Sequence, residues 1–199
     1  MNGDREKWRD RAGWALRTWR ADLSDGRRAG DLAALGRLSQ PLDAMMLPCF
    51  AELCNLVLDR DDRTTRRIEV LARCALLAGR LSGFEEGASL AAAMAQPQGA
   101  GRPLVSAVRA SALFSLEDED QACMAVASLL GTLGGRASAR LDAMEVVRVM
   151  SDWERARRDL ALRYYRTNAP QGPSDEDAAS GAQRSPADAE PTTDLGRPD

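Results

Sequence analysis

The stretch SDWERARRDLALRYYRTNAP, residues 151–170, decides how the rest of the chain is read. At 100° per residue, Trp153, Ala156, Leu160 and Tyr164 fall on one face with spacings of 3, 4 and 4. That spacing predicts an amphipathic helix docked on a core through the Trp–Leu–Tyr stripe. Arg155, Arg158 and Arg166 lie on the opposite side with Leu162. Arg157 sits nearer the apolar face, where its stem packs while its head reaches water. Five arginines on one helix leave two readings open: a solvated basic face, or a surface that holds something acidic.

Working back from this helix, the same 3.6-residue period recurs and no alternating β-branched run interrupts it. A first helix is expected over about 4–22, with Trp8, Ala12, Ala15, Leu16, Trp19 and Leu23 on one face and Trp14 nearly opposite. Trp14 is therefore expected to be covered by a neighbouring helix or a second subunit. The turn SDGRRAG (24–30) leads to a short helix ending near LSQP. Further helices are expected over 41–59 and 63–81, the latter with Asp61 or Asp62 as N-cap. GASLAAAMA forms a small helix before QPQGAGRP (96–103), the clearest internal linker. Helices near 103–114, 117–133, 141–150 and 151–167 follow. The expected fold is all-α: a compact bundle of about eight to nine helices with no sheet. It forms one domain over 1–168, with room for sub-bundles 1–95 and 103–168 joined by the linker 96–102.

From residue 169 onward, Pro, Gly, Ser, Ala and Asp replace apolar residues, so 169–199 is expected to be a disordered acidic tail. It holds seven acids and two bases, a charge of −5, so the chain's overall −3 conceals +2 over the remainder. Of the 27 bases, all but Lys7 are arginine. A GC-rich coding sequence gives that ratio, and so does phosphate recognition by planar guanidinium groups.

Several chemistries are disfavoured at once. Histidine is absent, and Cys49, Cys54, Cys74 and Cys123 form no CxxC pair, which removes the usual zinc sets and any His-dependent triad. No glycine-rich phosphate loop occurs. No catalytic residue, metal or cofactor is expected. No apolar run approaches the roughly 18–20 residues of a membrane span, and MNGDREKWRD has no apolar core, so a cytoplasmic protein without membrane contact is expected. Glu117–Asp120 place four acids at a helix start, where they favour the positive end of its dipole. As consecutive residues they point in different directions and make a poor metal site.

Basic residues cluster elsewhere too. Arg66, Arg73 and Arg80 recur every seven residues, about 10 Å apart along one helix. Arg63 and Arg67 broaden the upper end, while Val70, Leu76 and Leu77 flank the row. A phosphate-binding row and a core helix with snorkelling arginines are both open there. Arg27 with Arg28, and Arg102 with Arg109, lie at turns and helix ends.

WALRTWRADLSDGRRAGDLAAL, RRIEVLARCALLAG, RPLVSAVRASALFSLEDEDQACMAVASLLGTL and RLDAMEVVRVMSDWERARRDLALRYY, taken in order, resemble the small subunit (CasB family) of the type I-E CRISPR Cascade surveillance complex. The match is diffuse and spans most of 8–166. The resemblance implies an all-α, non-enzymatic subunit that bridges the complex and stabilises the R-loop without reading sequence. It implies as partners the backbone and large subunits, a second copy arranged head to tail, guide RNA, target DNA and the displaced single strand. The family's basic positions fall on Arg109, on Arg155 and Arg158, and near Arg63 or Arg66. Where members often carry arginines, this chain has Ala33 and Ala34, and later Ala127 and Ser128. With the clusters above, the candidate nucleic-acid-binding residues are Arg27, Arg28, Arg63, Arg66, Arg102, Arg109, Arg155 and Arg158. The competing reading is a helical adaptor or scaffold whose arginines serve only protein–protein contacts.

Overall fold

Helices occupy the segments where the apolar period runs unbroken, and prolines and capping side chains set where they stop. The computed structural model describes residues 2–59, 62–98, 102–134 and 139–168. Among them lie nine α-helices: α1 Asn2–Ser24, α2 Ala29–Gly36, α3 Pro48–Val57, α4 Thr65–Arg80, α5 Leu90–Ala95, α6 Ala107–Phe114, α7 Glu119–Gly134, α8 Ala143–Ser151 and α9 Trp153–Thr167. The fold is a compact all-α bundle, and Met1–Asn168 pack as one unit. Elements from both sides of the 96–102 connection pack together, with α1 against α8, α4 against α7 and α8, and α5 against α9. The tail expected over 169–199 lies outside the described residues. No helix among the described residues is long and apolar enough to cross a membrane.

Three expectations are corrected. The single helix over 41–59 is two elements, a 3-10 segment Pro41–Met46 and α3, because Pro48 cannot donate its backbone hydrogen bond and instead occupies the first turn of a new helix. The N-cap of α4 is Thr64, whose hydroxyl accepts from Arg67 N–H at 3.3 Å, rather than Asp61 or Asp62. Asp62 instead pairs with Arg11 and Arg67. Strand pairing is also present, although minimal. Gly83–Phe84 runs parallel to Arg140–Leu141, and Pro97–Gln98 antiparallel to Arg102–Pro103. Segments between helices still have backbone groups to satisfy. The α4–α5 connection finds partners in the segment before α8, through Ser82 N–H to Ala139 O (3.0 Å), Glu85 N–H to Leu141 O (3.0 Å) and Asp142 N–H to Ala88 O (2.8 Å).

α4 is the centre of the bundle. Every residue from Val70 to Ala78 is buried, as befits a helix with neighbours all round, and α1, α2, α3, α7 and α8 all pack on it. α2 approaches so closely that a Cβ at Gly79 would stand 2.7 Å from Gly36 N and from Leu35 C and Cβ. The expected apolar faces of α1 and α9 are buried throughout. Polar tips fix their register: Trp19 Nε1 donates to Cys49 O (2.9 Å), Trp153 Nε1 to Leu116 O (2.7 Å) and Tyr164 Oη to Val105 O (2.5 Å). Arg20, 6% exposed, donates to Ala78 O (2.9 Å) and Leu81 O (2.7 Å), placing a cation at the carbonyl end of α4. Trp14 is 64% exposed, so no helix of its own bundle covers it.

All four cysteines are free. Burial pushes the Cys123 thiol up to about 12 and Cys74 higher still, so neither is a nucleophile at neutral pH.

Candidate nucleic-acid interface

The α1 sequence EKWRDR alternates charge around Trp8, whose ring is buried while its neighbours are not. Three shallow clefts open along this part of the helix and adjoin one another at shared lining residues. One, of about 280 Å³, is lined by Asp4, Lys7, Trp8, Arg11, Asp62 and Arg67. The next, about 340 Å³, shares Trp8 and Arg67 and adds Arg9, Thr64, Arg66 and Asp152. The third, about 260 Å³, shares Arg9 and Asp152 and adds Glu6, Arg148, Arg155, Asp159 and Arg163. Each is near or below the lower end for a small-molecule pocket, about 300 Å³. Together they form a furrow suited to an extended ligand rather than an enclosed one.

Eight cations and five carboxylates line this furrow, an excess of positive charge in a chain whose formal charge is −3. Local capping helps to place them. Thr64 starts α4, which presents Arg66 and Arg67, and Asp152 accepts from Arg155 N–H (3.4 Å) to start α9. Arg67 lies 5.5 Å from the centre of the Trp8 ring, a cation–π contact, and Trp8 Nε1 has no hydrogen-bond partner among the described residues.

The cations differ in how far carboxylates occupy them. Arg11 is held at 2.8 Å from Asp59 and 2.9 Å from Asp62, and the Asp59 hydrogen bond helps raise its pKa above the usual arginine value. Arg67 pairs with Asp62. Arg9 has only a 3.8 Å approach to Asp152, while Arg148 and Arg163 reach the nearly buried Glu145 at 3.8 and 3.4 Å. Glu145 also accepts from Ser89 Oγ and Leu90 N–H, at the start of α5. Arg155 and Lys7 make no ion pair among the described residues, so they are the cations here whose charge no carboxylate offsets at contact distance.

The eight residues singled out from the sequence are dispersed. Only Arg66 and Arg155 line the furrow. Arg66 sets both terminal nitrogens on Glu119, at 2.7 and 2.5 Å. Arg63 donates to Asn55 Oδ1 (2.5 Å), and Arg28 is held by Asp31 (3.1 Å) and Glu52 (2.8 Å). Arg27, Arg102 and Arg109 are exposed, in the α1–α2 turn, within the short antiparallel pair and on α6. Arg158 is exposed and pairs with Glu154 one turn away at 2.5 Å. Arg109 and Arg158 are not among the residues that line the cleft holding Arg155.

The row Arg66–Arg73–Arg80 resolves into partners within the protein. Arg73 is buried and bridges Glu119 (2.7 Å) and Asp120 (2.6 Å). Burial works against its charge, but the Asp120 hydrogen bond and the two carboxylates more than offset this and raise its pKa. Arg80 donates to Leu38 O (3.1 Å). The acidic run at the start of α7 thereby acquires a structural role: Asp118 accepts from Gln121 N–H (2.8 Å), and Glu119 and Asp120 clasp α4.

The sequence reading missed Lys7, Arg9, Arg11, Arg148 and Arg163. Each is unremarkable in its own helix, and the clefts that collect them join α1, α4, α8 and α9. Comparisons with protein-family models, curated proteins and solved structures find no match for this chain.

Proposed function

We propose that this chain is a non-catalytic subunit of an RNA-guided surveillance complex of the Cascade type, in the role its sequence resemblance implies. In this reading it works in the cytoplasm beside the backbone and large subunits and a second copy of itself. It steadies the R-loop by holding the sugar–phosphate backbone of guide RNA, target DNA or the displaced single strand. The observation that carries the proposal is the furrow along α1, α4, α8 and α9, with its excess of cations and with Arg155, which makes no ion pair among the described residues. Guanidinium contacts to phosphate position a strand without reading its bases.

A second reading, a helical adaptor, draws on the pairing of Arg28, Arg66, Arg73 and Arg158 with carboxylates of the same chain. Trp14 suits either reading as a surface for another subunit.

Salt separates them. For single strands the logarithm of the binding constant falls with the logarithm of salt by roughly 0.7 per neutralised phosphate. The full chain should bind a fluorescent single-stranded oligonucleotide at low salt by anisotropy, equally for different sequences. Arg155→Ala should flatten the salt slope by about 0.7. Arg158→Ala should do less, because Arg158 already has Glu154. Absence of binding at low salt would leave the adaptor.

A further inference from the structure

The outward face of α9 carries an aromatic ring that backbone binding does not use. At 100° per residue, Arg155, Arg158, Leu162, Tyr165 and Arg166 fall within about 100° of arc opposite the buried Trp153–Leu160–Tyr164 stripe. All five are exposed, Leu162 at 67% and Tyr165 at 45%. No acid lies within that arc; Glu154 and Asp159 flank it.

The Tyr165 ring is held in place from behind. It meets Phe114 edge to face at 6.4 Å and 68°, and Tyr164 at 5.1 Å and 77°. Tyr164 is itself fixed by its hydroxyl on Val105 O and by Phe114 at 6.1 Å. Two buried or half-buried rings therefore orient a third whose surface reaches solvent, with Arg158 and Arg166 on the same face of the helix.

We infer that Tyr165 is a stacking platform for an unpaired nucleobase of single-stranded nucleic acid, with Leu162 beside it and the α9 arginines holding the adjoining phosphates. Every base offers a π-face, so the contact adds affinity without sequence preference. A ring pre-oriented by its neighbours loses little conformational freedom when a base lands on it. Three arginines on the face, of which Arg158 is shared with Glu154, favour a polyanion over an apolar protein surface. The inference rests on the backbone-binding reading and adds a base contact to it.

The test uses the full chain and single-stranded oligonucleotides carrying one 2-aminopurine. Bound by the wild type, the 2-aminopurine at the stacked position should lose fluorescence. Tyr165→Ala should weaken binding about five-fold or more while leaving the salt slope unchanged, because a stack releases no counterions. Tyr165→Phe should restore the affinity. Arg155→Ala moves the slope, so the two contributions separate. If Tyr165→Ala binds as tightly as wild type while Arg155→Ala still flattens the slope, the stacking platform is wrong and backbone binding stands. If the wild type shows no affinity at low salt, both fall. Should Tyr165→Ala fail to fold, unquenched 2-aminopurine at every position on the wild type overturns the inference. Retained DNA affinity with lost binding to other subunits would make this face a protein contact and overturn it equally.

Discussion

Replacing Gly79 by alanine tests the contact on which the centre of the bundle depends. The new Cβ would stand 2.7 Å from Gly36 N, Leu35 C and Leu35 Cβ, whereas ordinary contact begins near 3.4 Å. Two of these atoms are backbone and the third is fixed to it, so no rotamer change relieves them. α2 must move by several tenths of an ångström away from α4, along the face where Leu35 is fully buried. Overpacking of this kind costs about 1–3 kcal/mol, and a backbone obstacle argues for the upper part of that range. Against it stands the gain of about 1 kcal/mol for alanine over glycine inside a helix. The expected net loss is about 1–2 kcal/mol. For a chain of this size that lowers Tm by about 2–8 °C. Gly131 is the control. It lies in α7, exposed, with nothing within 4 Å of an added Cβ, so Gly131→Ala should gain up to about 1 kcal/mol. Thermal unfolding followed by far-ultraviolet circular dichroism reads both. Gly79→Ala melting at or above the wild-type temperature would refute the close approach of α2 to α4. Gly131→Ala melting lower would refute the propensity argument.

The arginine row of α4 divides in urea unfolding. Arg73→Ala should cost about 3 kcal/mol, the low end for breaking a buried ion pair, because Glu119 and Asp120 keep some water. Arg66→Ala removes an exposed pair and should cost less than about 1 kcal/mol; equal losses in urea unfolding would contradict the assigned burial. The buried thiols give a pH dependence. Cys123 titrates near 12 when folded against a reference of 9.0, so above about pH 9 the unfolded chain binds fewer protons than the folded one, and stability falls as pH rises toward 12. Urea midpoints of wild type and Cys74→Ala/Cys123→Ala should draw together over that range; a constant difference would show that the thiols do not contribute.

Most of what depends on near neighbours in sequence was already decided in one dimension. The apolar faces of α1 and α9 follow from spacings of three and four residues, so Trp8, Trp19, Trp153 and Tyr164 could be assigned to the core without coordinates. The number of α-helices and the absence of any extended sheet among the described residues follow likewise. A short-range competition escaped that reading, since Thr64 rather than Asp61 or Asp62 caps α4. Which arginines can meet a phosphate belongs to tertiary structure alone. Arg66 and Arg73 are occupied by carboxylates 53 and 46 residues away, and Arg11 by Asp59 at a separation of 48. Arg155 makes no ion pair among the described residues because the adjacent Glu154 turns to Arg157 and Arg158, while Asp152 caps the Arg155 backbone and turns toward Arg9. A helical wheel shows which way a side chain leaves its helix. Whether water, a carboxylate or a furrow waits there is decided by helices that the wheel does not contain.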